Sequence, residues 1–194
     1  MTLRPPSPPT RRRAGGDGEV TVFVADEQAH HPVDVGRWST LAERVLEAEG
    51  VRGEAELSVL FVDLEAISVL NRDFMGEDGP TDVLSFPIDG ELAPGGRWPD
   101  DGGPGPERGM PDPDDLPLLL GDVVICPEIA ARNAPEHAGS FDDEIALLVV
   151  HGILHLLGLD HMDDDQRLAM QARERELLLQ FHGTPARDPW TSTG

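Results

Sequence analysis

The chain has 194 residues, 39% of them hydrophobic, a net charge of -22 and a single cysteine. That length suits one domain with a real hydrophobic core, the lone thiol rules out an internal disulfide, and no apolar run approaches the roughly 20 residues that a membrane-spanning helix needs. All 15 positive residues are arginine against 37 acids, and that acidity argues against a broad basic face, so any contact with nucleic-acid phosphate must be local.

Residues 1–18 are rich in Pro, Arg and Gly without periodicity and read as a disordered tail. No apolar stretch follows their arginines, which argues against a secretory signal and, with the single Cys126, for the cytoplasm. Val20 to Val24 is β-branched and aromatic and predicts a first strand. Trp38, Leu41, Ala42, Val45 and Leu46 then fall on one helical face, and Gly50 stops that helix. Glu56 to Val62 reads as a second strand, Leu64 to Phe74 as a second helix and Val83 to Pro87 as a third strand. In residues 89–117, seven glycines and seven prolines break any periodicity, so the segment is expected to be an extended hairpin loop between strands. Residues 118–126 make the fourth strand, which ends on a Cys126 expected to be buried and inert. Pro127 suits the first turn of a short helix, and two longer helices follow at about 141–157 and 164–181. The order β-α-β-α-β-β-α-α-α predicts a single α+β domain, a small four-stranded mixed sheet packed with about five helices.

Chemistry concentrates at the end of the 141–157 helix, in His151-Gly152-Ile153-Leu154-His155-Leu156-Leu157-Gly158-Leu159-Asp160-His161. Ser140 with Asp143 three residues later forms a carboxylate variant of the capping box at the start of that helix. His151 and His155, at i and i+4, project from one face about 6 Å apart, the separation at which two imidazoles meet one tetrahedral ion. Gly158 can take a left-handed conformation that turns the chain back and returns His161 to the same ion. A lone histidine on an apolar helix is usually a packed core residue. Three of the chain's seven, spaced four and six around a glycine turn, point instead to a metal site with an open fourth position. His30, His31, His137 and His182 show no such arrangement and read as surface or loop residues. Asp160 or Asp163 is a candidate to orient an imidazole, although Asp163 is better placed to cap the last helix. The same histidine spacing occurs in metzincin peptidases, which carry a general-base Glu after the first histidine. Gly152 stands there and cannot accept a proton.

The stretch resembles the signature H-G-x-L-H-L-x-G-x-D-H of the YbeY family, bacterial ribosomal-RNA maturation factors described as metal-dependent, single-strand-specific endoribonucleases. Leu70-Asn71, Pro80-Thr81-Asp82-Val83-Leu84-Ser85-Phe86 and Gly121-Asp122-Val123-Val124-Ile125 agree with that family upstream. The resemblance implies one domain over 19–182, with 89–117 as an enlarged loop and 183–194 as a tail. It implies one Zn2+ per chain on His151, His155 and His161, and a reaction carried by water or a 2′-hydroxyl activated at the metal. The implied substrate is single-stranded rRNA, in 16S 3′-end maturation and ribosome quality control, with the small ribosomal subunit or its assembly proteins as partners. Many family members carry an arginine, taken to serve RNA binding or catalysis, where Met75 precedes Gly76; Arg72, one turn earlier, is the candidate substitute. Thr81, Asp82 and Ser85, at the start of the third strand, are candidate substrate contacts, although Pro-Thr-Asp is also simply a good turn. The competing readings are a non-catalytic, metal-stabilised ribosome-assembly factor and a metzincin-like peptidase.

Overall fold

The computed structural model describes residues 19–88, 117–159 and 163–191. His161, Asp160 and the 89–116 part of the expected loop lie outside the described residues. The strands are β1 (Val20–Asp26), β2 (Ala55–Phe61), β3 (Val83–Pro87) and β4 (Leu118–Ile125). The helices are α1 (Val35–Ala48), α2 (Leu64–Leu70), α3 (Pro127–Asn133), α4 (Phe141–Leu156) and α5 (Asp164–Phe181). The sheet order is β1-β2-β4-β3. β1, β2 and β4 run parallel, and β3 pairs antiparallel with β4 from Val83↔Ile125 to Pro87↔Gly121. The β3–β4 pairing is that of the expected hairpin, and the α+β architecture with its mixed four-stranded sheet is as the sequence predicts.

Alternation along the strands divides the core between two faces. Leu57, Val59 and Phe61 of β2, with Val123 and Ile125 of β4, join Trp38, Leu46, Ile145, Ile153 and Leu177 of α1, α4 and α5 in the main core. Val124 of β4 points the other way, to Val62, Ile67, Leu84 and Cys126. Because α4 lies between the sheet and its helical neighbours, it buries an unbroken run from Glu144 to Val150 rather than one stripe. Cys126 is fully buried, and burial pushes its thiol pKa up, so it is a packing residue rather than a nucleophile.

Side-chain caps fix four helix starts, and in α1 Asp34 Oδ1 accepts from the Arg37 N–H at 3.1 Å. Asp63 Oδ1 accepts from the Ala66 N–H at 2.8 Å, Ser140 Oγ from the Asp143 N–H at 3.1 Å, and Asp163 Oδ1 from the Gln166 N–H at 2.8 Å. The expected second helix, by contrast, changes character at Leu70. Residues Asn71–Met75 widen into a π-helical turn, and the buried Asn71 donates its side-chain amide to the Gly79 carbonyl at 3.0 Å. Gly121 sits where β4 bulges out of register with β2, at φ +136°, and a Cβ there would lie 2.2 Å from the Phe86 carbonyl oxygen. Residues 183–191, expected as the start of a tail, are docked: the Ala186 N–H donates to Asp143 at 3.0 Å, and the Arg187 N–H to the Ala138 carbonyl at 2.9 Å.

Candidate metal centre

The last two turns of α4 carry His151 and His155, and the chain leaves the helix through Gly158 at φ +92°. The two rings meet edge to face, with centroids 4.5 Å apart and Nε2 to Nε2 at 3.1 Å. A tetrahedral ion with bonds of about 2.0–2.1 Å spaces two ligand nitrogens about 3.3–3.4 Å apart, so the pair is within a few tenths of an ångström of that geometry.

A carboxylate sets the tautomer. Glu174, on α5, is almost fully buried, and its Oε1 lies 2.7 Å from His151 Nδ1. A carboxylate only accepts, so Nδ1 carries the proton and the Nε2 lone pair of a neutral His151 faces His155. The second oxygen, Oε2, accepts from the Trp190 indole N–H at 2.7 Å. An imidazole ligand held by a carboxylate on its far nitrogen is the usual outer support of a histidine metal site. Among the described residues no group of three metal-ligating side chains occurs, and the expected third ligand, His161, lies outside them. The donor chemistry of the two described rings fits zinc or a related divalent ion.

Gly152, in the position a zincin gives to its general base, has a packing reason to be glycine. A Cβ there would lie 2.5 Å from Val123 Cγ1 and 3.3 Å from Ser85 Oγ. Ser85 itself donates to the Gly152 carbonyl at 3.1 Å, joining β3 to α4 beside the histidines. Of the other candidate contacts, Asp82 lines a cavity of about 340 Å³ together with His151, His137, Arg167, Glu174 and Trp190. Thr81 bonds to the Asp82 carboxylate at 3.3 Å. Arg72 is exposed, pairs with its neighbour Asp73 at 3.2 Å and does not line this cavity.

Two histidines expected at the surface are not simply solvated. The His182 side chain is 6% exposed and its Nε2 meets Asp143 at 2.8 Å. His137 Nδ1 faces both oxygens of the fully buried Glu144, at 2.9 and 3.0 Å. That hydrogen bond raises the His137 pKa against burial, with the charges of Glu144, Asp82 and Glu174 adding to the effect. Asp163 caps α5, and among the described residues the carboxylate on His151 is Glu174. A signal for Glu174 was present in the sequence, because it stands on the stripe Met170, Glu174, Leu177 and Leu178 that α5 buries.

The family model described as Endoribonuclease YbeY matches residues 23–182. The chain belongs to the YbeY family. Proteins named Endoribonuclease YbeY from Beutenbergia cavernae and Salinispora tropica are 47% and 43% identical to it, over 77% and 87% of this chain and 89% and 100% of theirs. The relative of that name from Frankia casuarinae is 43% identical over 84% of this chain and 76% of its own. The solution structure of TM1509 from Thermotoga maritima shares the fold, with a TM-score of 0.51 at 24% identity, covering 90% of this chain and all of that one.

Proposed function

We propose that this protein is a zinc-dependent endoribonuclease that cuts single-stranded RNA, acting in the cytoplasm on 16S rRNA 3′-end maturation and ribosome quality control. The observation that carries the reading is the convergence of His151 and His155 Nε2, with the tautomer of His151 fixed by Glu174; His151 and Glu174 also line a cavity. The shared name of the family relatives supports RNA as the substrate. His151, His155 and His161 would hold one ion, which when bound supplies Lewis-acid polarisation of a phosphoryl oxygen and a lowered pKa for water. Glu174 keeps the His151 lone pair on the ligand side, and Gly152 brings α4 close to β4. No described helix is long and apolar enough to cross a membrane. The net charge of -22 gives some weight to a second reading, a non-catalytic ribosome-assembly factor with a stabilising metal.

Purified, zinc-loaded protein should cut single-stranded RNA and leave duplex RNA nearly intact. Chelation should stop the cutting and zinc restore it. Folded His155→Ala should be inactive, whereas a contaminating nuclease would persist in that preparation. Equal cutting by wild type and His155→Ala overturns the nuclease reading. RNA binding without cutting by either protein puts the assembly-factor reading in its place.

A further inference from the structure

His137 stands outside the metal centre but on the same cavity as His151 and Asp82. It follows α3, and its ring is fixed from one side by Glu144, whose Oε2 also accepts from the Ala138 N–H at 3.2 Å. Glu144 is completely buried while the His137 side chain is 37% exposed, so the pair runs from the core out to the cavity. Among the described residues none hydrogen-bonds to His137 Nε2. This is an imidazole with its inner nitrogen clamped and its outer nitrogen presented.

Distance decides what such a group does. Glu144 and His151 are seven residues apart on α4, nearly in line along the helix and separated by about 10 Å. With its inner nitrogen anchored to Glu144, two turns before His151, the His137 ring is placed for the next stretch of an extended strand. The cavity between them has an apolar floor from Leu147, Leu148 and Met170, with Trp190 as a wall, the lining an unstacked nucleotide prefers. We propose that this cavity is a subsite for a nucleotide flanking the scissile bond, with His137 Nε2 donating to its phosphate. The inference rests on the nuclease reading above. The acids facing His137, Glu144 of α4 first, then Asp82 before β3 and Glu174 of α5, favour its cationic form against burial, and Arg167 is the other cation on the cavity.

His137→Asn tests the contact and separates it from a structural role. The asparagine amide stands near the Nδ1 position and still donates to Glu144, while the outer nitrogen is gone. The melting temperature of zinc-loaded His137→Asn should match wild type, kcat should hold within about twofold, and KM and Kd for a short single-stranded RNA should rise about tenfold or more, as expected for a lost charge-assisted bond. Substituting an uncharged methylphosphonate at the flanking phosphate should weaken wild type by a similar factor and His137→Asn little further. Unchanged KM and Kd in His137→Asn, additive losses with the methylphosphonate, or a fall confined to kcat each overturn the proposal. Failure of wild type to cut RNA at all refutes the nuclease reading instead, and the two binding measurements still decide the His137 contact.

Discussion

At the scale of single residues, Glu174 and Gly152 carry the sharpest consequences. In Glu174→Gln one amide must face two donors, the His151 Nδ1–H and the Trp190 indole N–H. It has one acceptor oxygen where the carboxylate has two. Turning its NH2 to His151 would move the ring proton to Nε2 and close the ligand lone pair. Zinc affinity should fall about 10–100-fold, measured by competition with a chromophoric chelator; wild-type affinity would remove Glu174 from any orienting role. Gly152→Ala drives a methyl group against Val123, a fully buried β-branched side chain with little freedom to turn away. Overpacking of that kind costs about 1–3 kcal/mol, so urea unfolding should shift to a lower midpoint with the slope unchanged. An unshifted midpoint would mean that α4 and β4 can separate without penalty.

At the scale of elements, the start of α4 joins the end of the described chain. Asp143 is at once the capping-box carboxylate, the partner of the His182 ring and the acceptor for the Ala186 N–H. Burial pushes its pKa up, but the bonds from Ser140, Ala186 and His182 outweigh it and hold the carboxyl below its ordinary value. A depressed folded pKa contributes stability above the unfolded value of about 3.9 and loses it as pH falls through the folded one. Wild type should therefore lose stability as pH falls below about 4. Asp143→Asn should be less stable at neutral pH with a shallower acid limb, the two curves converging at the acid end of the titration. Parallel curves in pH-dependent urea melts would show that Asp143 is not coupled to folding in this way. The helices themselves were legible because caps and periodicity are local: Ser140, Asp163 and the buried face of α1 stand where the spacing put them. The π-helical turn at Asn71 was not, since it answers to the carbonyl of Gly79, eight residues on.

At the scale of the whole molecule, charge dominates. With a net charge of -22 and all 15 basic residues arginine, the proposed RNA substrate would have to be held against general repulsion by few contacts. If two or three phosphates are neutralised, log Kd for single-stranded RNA should change with log salt by a slope of about 1.4–2.1, at about 0.7 per contact. Fluorescence anisotropy of zinc-loaded protein across a salt series measures it, and a slope beyond about 5 would require a basic face of seven or more contacts.

What the sequence determined by itself was whatever a short stretch of backbone enforces. The i,i+4 spacing of His151 and His155 places two rings on one helical face whatever surrounds them, and Gly158 can turn the chain because it has no Cβ. The hydrophobic run of 118–126 and its counterparts fixed the strands, and the β-α-β order fixed the mixed sheet. Only the tertiary structure decided which acids serve those histidines. Glu174 is 23 residues from His151, and Asp143 is 39 from His182. Such pairings depend on how α4, α5 and the docked 183–191 segment pack, and no local spacing encodes that packing. The same holds for Gly152, whose missing side chain reads in sequence as a lost base and in the fold as room for Val123. It holds for His137 as well, a loop histidine until a buried Glu144 comes to lie behind it. A burial energy summed over contacts distant in the chain selected those partners, and the helix period alone could not.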